Sequence, residues 1–69
     1  MDWSEEDLAV FKYLFILEGR GLTNMFNVAA FIILKPEFAH ISLNDAILMV
    51  RKWLINYDEI KGLLSGPSQ

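Results

Sequence analysis

The stretch that decides the fold is Gly19-Arg20-Gly21-Leu22-Thr23-Asn24-Met25-Phe26-Asn27-Val28. Two glycines are followed by a polar pair and then by a run that is apolar almost without relief to Leu34. Glycine accepts the backbone conformation that ends a helix, and Thr23 or Asn24 can open the next one by accepting a backbone N–H. The stretch therefore predicts a helix-turn-helix corner. Its second helix, over about 24–34, is expected to be a core helix and nearly wholly buried. Met25, Phe26, Ala29, Ala30, Ile32 and Ile33 cover most of its circumference, while Asn24, Asn27, Phe31 and Lys35 share one flank. Pro36 disfavours helical conformation at Lys35 and closes the helix. Gly21, Thr23, Asn24, Met25, Phe26 and Asn27 read as a structural motif: the asparagines have capping-box spacing, and Met25 and Phe26 are expected to anchor the corner to the third helix.

Working outward, the first helix is predicted over about 4–18. Ser4-Glu5-Glu6-Asp7 has capping-box spacing, and Trp3 and Leu8 are placed as a hydrophobic staple. The acidic residues also sit where the helix dipole favours negative charge. Glu5, Ala9 and Lys12 mark a narrow water-facing stripe, and Phe11, Tyr13, Leu14, Phe15 and Leu17 wrap most of the remainder. A third helix is predicted over about 42–61, from a cap at Ser42 to a stop at Gly62. Its core stripe is Leu43, Ala46, Ile47, Val50, Leu54 and Tyr57, widened by Trp53 and Ile60. Phe38 is expected to plug the core from the intervening loop, and His40 to be solvated there. Leu14, Phe15, Phe26, Ile47, Val50 and Trp53 are expected among the most buried residues. The small, polar, breaker-rich stretch 65–69 reads as a flexible tail. The whole chain, 1–69, reads as a single all-α domain of three helices.

Size and composition bear on assembly. A chain of 69 residues hides only about 60% of the surface its unfolded form exposes. Such chains rely on disulfides, metals or oligomerisation. There is no cysteine and one histidine, so oligomerisation remains. Hydrophobic residues make up 54% of the chain, and a dimer built mainly on helix one is expected. Leu48 and Ile55 break the polar side of helix three one heptad apart, beside Arg51 and Lys52. These four residues are the candidate partner-binding set.

Chemistry is scarce. The serines at 4 and 42 are accounted for as caps, Glu5/Glu6 and Asp58/Glu59 are sequence neighbours that point apart on a helix, and Gly19-x-Gly21 lacks the rest of a dinucleotide loop. An enzyme is not expected, nor any cofactor or metal. The net charge is −3, and the six basic residues are scattered, which disfavours nucleic acid as a direct partner. Helix two offers apolar side chains where a DNA-reading helix presents polar and basic ones. The N-terminus is acidic where a secretory leader is basic, and the longest apolar stretch is too short for a membrane span. A soluble, intracellular protein is the expectation.

The run Gly21, Thr23, Asn24, Met25, Phe26, Asn27 and Val28, followed by Tyr57 and Leu64-Ser65-Gly66, resembles a family of short phage and prophage proteins grouped as a domain of unknown function. The resemblance spans roughly Phe11 to Gly66 and brings no catalytic residues. It implies a small accessory protein of a phage or mobile element, cytoplasmic in an infected or lysogenic host. Such a protein would bind a host or defence protein and modulate it, inhibition of an anti-CRISPR kind being one concrete form. A nucleic-acid-associated regulator using Arg51, Lys52 and Lys61, or a structural virion or assembly component, are the alternatives.

Overall fold

The computed structural model describes residues 3–22 and 24–65. They form four α-helices and one 3-10 turn: α1 (Glu5–Gly19), α2 (Met25–Leu34), the turn Pro36–Phe38, α3 (Leu43–Ile55) and α4 (Tyr57–Ser65). The fold is all-α. Thr23 and the tail residues 66–69 lie outside the described residues.

Each of the first three helices is opened by a short polar side chain. Ser4 Oγ accepts from Asp7 N–H at 3.0 Å and Ser4 N–H donates back to Asp7 Oδ2 at 3.4 Å, a complete capping box. Asn24 Oδ1 accepts from both Phe26 N–H (2.9 Å) and Asn27 N–H (3.2 Å), without a return bond. Ser42 Oγ accepts from Asp45 N–H at 3.1 Å. Trp3 stands edge-on to Phe11, centroids 5.1 Å apart, and ties the entry of α1 to the core.

The corner between α1 and α2 is a Schellman motif. Leu22 N–H reaches back to Leu17 C=O at 3.1 Å and Gly21 N–H to Glu18 C=O at 2.9 Å. Gly21 supplies the left-handed residue this closure needs, at φ +86°. Leu22 then folds onto the core. At the other end of α2, Lys35 is extended ahead of Pro36, as a residue before proline prefers.

The single helix expected over 42–61 is two. Asn56 sits at φ −107°, ψ 25°, and its side-chain amide donates to Lys52 C=O at 3.0 Å. That local bond offers the backbone an alternative to a further helical turn, the reason asparagine is poor inside helices. Past the break, α4 runs through Gly62, the expected stop, to Ser65. The bend brings α4 onto α1. Phe15, Trp53 and Tyr57 form an aromatic triangle with centroids 5.2–5.3 Å apart, and Tyr57 Oη donates to Glu18 Oε1 at 2.6 Å.

The core gathers Val10, Phe11, Leu14 and Leu17 of α1, Val28, Ala29 and Ile32 of α2, Phe38 and Ile41, Ala46, Val50 and Trp53 of α3, and Ile60 of α4. Helix α1 touches α2, α3 and α4, so its broad apolar girth is covered within one chain. The dimer expected to be built mainly on helix one would draw on that girth, which three neighbours within the chain already cover. Ile16 alone of its large apolar residues stands clearly in water, continuing the stripe of Glu5, Ala9 and Lys12.

Candidate docking faces

Helix α2 is not the wholly buried helix its composition suggests. Its inward side is Val28, Ala29 and Ile32. On the opposite side Phe26 is 66% exposed and Leu34 73%, with Phe31 at 40%. Phe26, expected in the core and as an anchor of the corner, does neither. The cause is the phase set by the Asn24 cap together with the number of neighbours. At 100° per residue, Val28, Ala29 and Ile32 share one side, which α1 and α3 cover. Phe26, Ala30 and Leu34, each four residues on from the last, fall on the far side. Asn27 is exposed among them. As the one polar residue of α2, it was the signal that this side faces outward. Met25 is half-buried and lines a small recess with Leu22, Val28 and Leu54, so it does tie the corner to α3.

The α3 set stands together. Leu48, Arg51, Lys52 and Ile55 are all exposed and occupy one side at the i, i+3, i+4, i+7 spacing of a helical stripe. Leu48 is 50% exposed and Ile55 77%. Among the described residues neither Arg51 nor Lys52 joins an ion pair. Leu48 and Lys52 also line a groove of about 240 Å³, together with Asp45 of the same helix and Glu6 and Asp7 of α1. In that groove His40 Nε2 meets Glu6 Oε2, joining the loop before α3 to the first turn of α1. His40 is exposed yet partnered, a pairing that sequence alone could not place because the residues are 34 positions apart.

A wider recess of about 460 Å³ lies between α1 and α4, lined by Lys12 and Lys61 with Phe15, Ile16 and Leu64. Lys61, grouped with Arg51 and Lys52 in the nucleic-acid alternative, thus faces a different part of the molecule from the α3 stripe. Leu43 and Leu54, expected on the core stripe of helix three, are about half exposed, whereas Ile47 and Tyr57 are partly covered. The stripe drifts out of the core at its edge because α3 is packed mainly through Ala46, Val50 and Trp53.

Among the described residues, no three His, Cys, Asp or Glu side chains converge where they could hold a metal ion. The Tyr57 hydroxyl is raised above its ordinary pKa, chiefly because it donates to the Glu18 carboxylate and secondarily through desolvation and the nearby negative charges of Glu18 and Asp58. That bond locks α4 to α1; it does not activate a nucleophile. No helix is long and apolar enough to cross a membrane among the described residues. Compared with known protein families, curated proteins and solved structures, the chain matches none.

Proposed function

We propose that the protein is a non-enzymatic docking module that acts by occupying the surface of a partner protein, and that the outward side of α3 makes the contact. One observation carries the reading: Leu48 and Ile55 stand in water one heptad apart, with two cations between them that are unpaired among the described residues. Exposed apolar side chains gathered with polar neighbours mark interaction surfaces, and arginine is enriched at them. The fitting partner surface is an acidic groove with two apolar recesses about 10 Å apart, the rise of seven helical residues.

The resemblance to short phage and prophage proteins supports a host or defence protein as that partner, met in the host cytoplasm. The mode of action is then occlusion of the partner's working surface, with inhibition of a CRISPR effector as one form. Self-association belongs to the same proposal, because a chain this small without disulfides gains most from a second copy. A photoreactive amino acid in place of Ile55, introduced in the host, tests the docking face. The expected result is a discrete crosslinked protein that disappears when Leu48→Glu and Arg51→Glu are added. Crosslinks indifferent to those changes would overturn the reading. Duplex DNA binding that falls steeply with salt would replace it with the nucleic-acid alternative, and copurification with particles would replace it with the assembly role.

A further inference from the structure

We propose that the outward face of α2 is a self-association surface, on which two copies pair antiparallel about a two-fold axis passing beside Ala30. The inference locates the self-association proposed above but does not rest on the α3 contact: a protein that stayed monomeric would keep its α3 stripe unchanged.

Three observations select a second copy as the occupant. The first is charge. Each chain carries a net −3, so two copies repel overall and meet at the least electrostatic cost where the contact itself holds no charge. Helix α2 has no charged residue from Met25 to Leu34, and its outward side offers Phe26, Ala30, Phe31 and Leu34 with Asn27 alone polar. The second is the kind of interface this composition fits. Surfaces that pair copies of one chain are more apolar than those that meet transient partners, which keep about the polarity of ordinary surface. By that criterion the charge-free α2 face suits a second copy, and the Arg/Lys-bearing α3 face suits another protein.

The third is symmetry. A two-fold interface must be complementary to itself. The stripe Phe26–Ala30–Leu34 is large, small, large at equal four-residue steps, and Ala30 is only partly exposed between its two projecting neighbours. Turned about an axis at Ala30, an antiparallel copy sets alanine against alanine at the closest approach. Phe26 then meets the Leu34 position of the other copy, on both sides of the axis. Ridges at four-residue spacing on both helices pack in the commonest helix-pair geometry.

Ten helical residues span about 15 Å, so pairing through α2 alone buries less than the roughly 800 Å² per partner of a standard interface. The dimer is therefore at the small, weak end of specific interfaces and dissociates on dilution.

Sedimentation equilibrium across the range from about 1 μM to several hundred micromolar reads this directly. The expected result is a monomer at the low end and a dimer at the high end. Ala30→Glu sets two like charges at the axis and should weaken pairing at least tenfold while circular dichroism stays helical. Phe26→Lys and Leu34→Glu should each weaken it, and the two combined in one chain should restore it, because the antiparallel arrangement brings the opposite charges together twice. In the absence of native cysteine, Ala30→Cys should give a disulfide-linked dimer on mild oxidation, whereas Ile55→Cys should not, since cysteine pairs only at short Cα separations. A monomer mass throughout, or a dimer that withstands Ala30→Glu, would overturn the inference. So would a double charge variant no better paired than either single one.

Discussion

Helices α2 and α3 pack against each other over one core, yet their outward sides are built differently. The outward side of α3 mixes Leu48 and Ile55 with Arg51, Lys52, Asn44 and Asp45; that of α2 has three large apolar side chains and no charge. The inward sides are alike: Val28, Ala29 and Ile32 on one, Ala46, Val50 and Trp53 on the other. A helix rich in apolar residues is thus not deeper in the fold than an amphipathic one. It has apolar residues left over on the side that no neighbour among the described residues covers.

Truncating α2 on each side in turn should give the largest difference. Ile32→Ala, inside the core, should cost about 2–5 kcal/mol, much of the ~3–10 kcal/mol available to a chain of this size. Phe26→Ala, in dilute protein, should stay within about 0.5 kcal/mol. Chemical denaturation measures both, and equal losses would mean that Phe26 is covered after all. Gly21→Ala probes the turn that sets the phase of α2. Nothing lies within 4 Å of an added Cβ there, so its cost is purely conformational, about 1–2 kcal/mol for a left-handed residue, seen as a lower melting temperature. An unchanged melting temperature would show that the corner does not need its left-handed residue.

The caps sharpen the contrast further. Asn24 serves two N–H groups and Ser42 one, so Asn24→Ala should cost more than Ser42→Ala, around a typical ~1 kcal/mol for either. The reverse order in thermal melts would show that α3 depends more on its start than α2 does. Alkaline titration tests the break that separates α4 from α3. Because the folded Tyr57 has a raised pKa, its contribution is fully present below the ordinary tyrosine value of about 10 and is lost as pH rises through the folded value. Tyr57→Phe should flatten that loss. The smallest effect is reserved for the outward side of α3: Leu48→Glu with Ile55→Glu should shift stability by no more than about 0.5 kcal/mol per site, and a larger shift would place those side chains against the core.

Particular residues show where reading the chain succeeded and where it stopped. Ser4, Asn24 and Ser42 announce helix starts because an N-cap bond spans two or three residues and is visible at that range. The closure at Gly21 and the exit at Pro36 are legible for the same reason. Asn56 is local too, but an asparagine at mid-helix carries no obligatory break, and nothing in the chain marks the bend that sends Tyr57 to Glu18, 39 positions away. Leu48, Arg51, Lys52 and Ile55 were recognisable as one stripe, since helical spacing alone assembles them. The outward set on α2 was not, except through Asn27.

Read alone, the chain declares itself helical, shows where the first three helices begin and which side chains share a side, because caps, turns and the 3.6-residue period are short-range physics. How many neighbours each helix has came from long-range packing alone. Among the described residues it gave α1 three and left α2 with none on its outer side. Burial is a property of what packs against a residue from distant parts of the chain, so hydrophobicity can say that Phe26 would gain from being covered but not whether anything covers it.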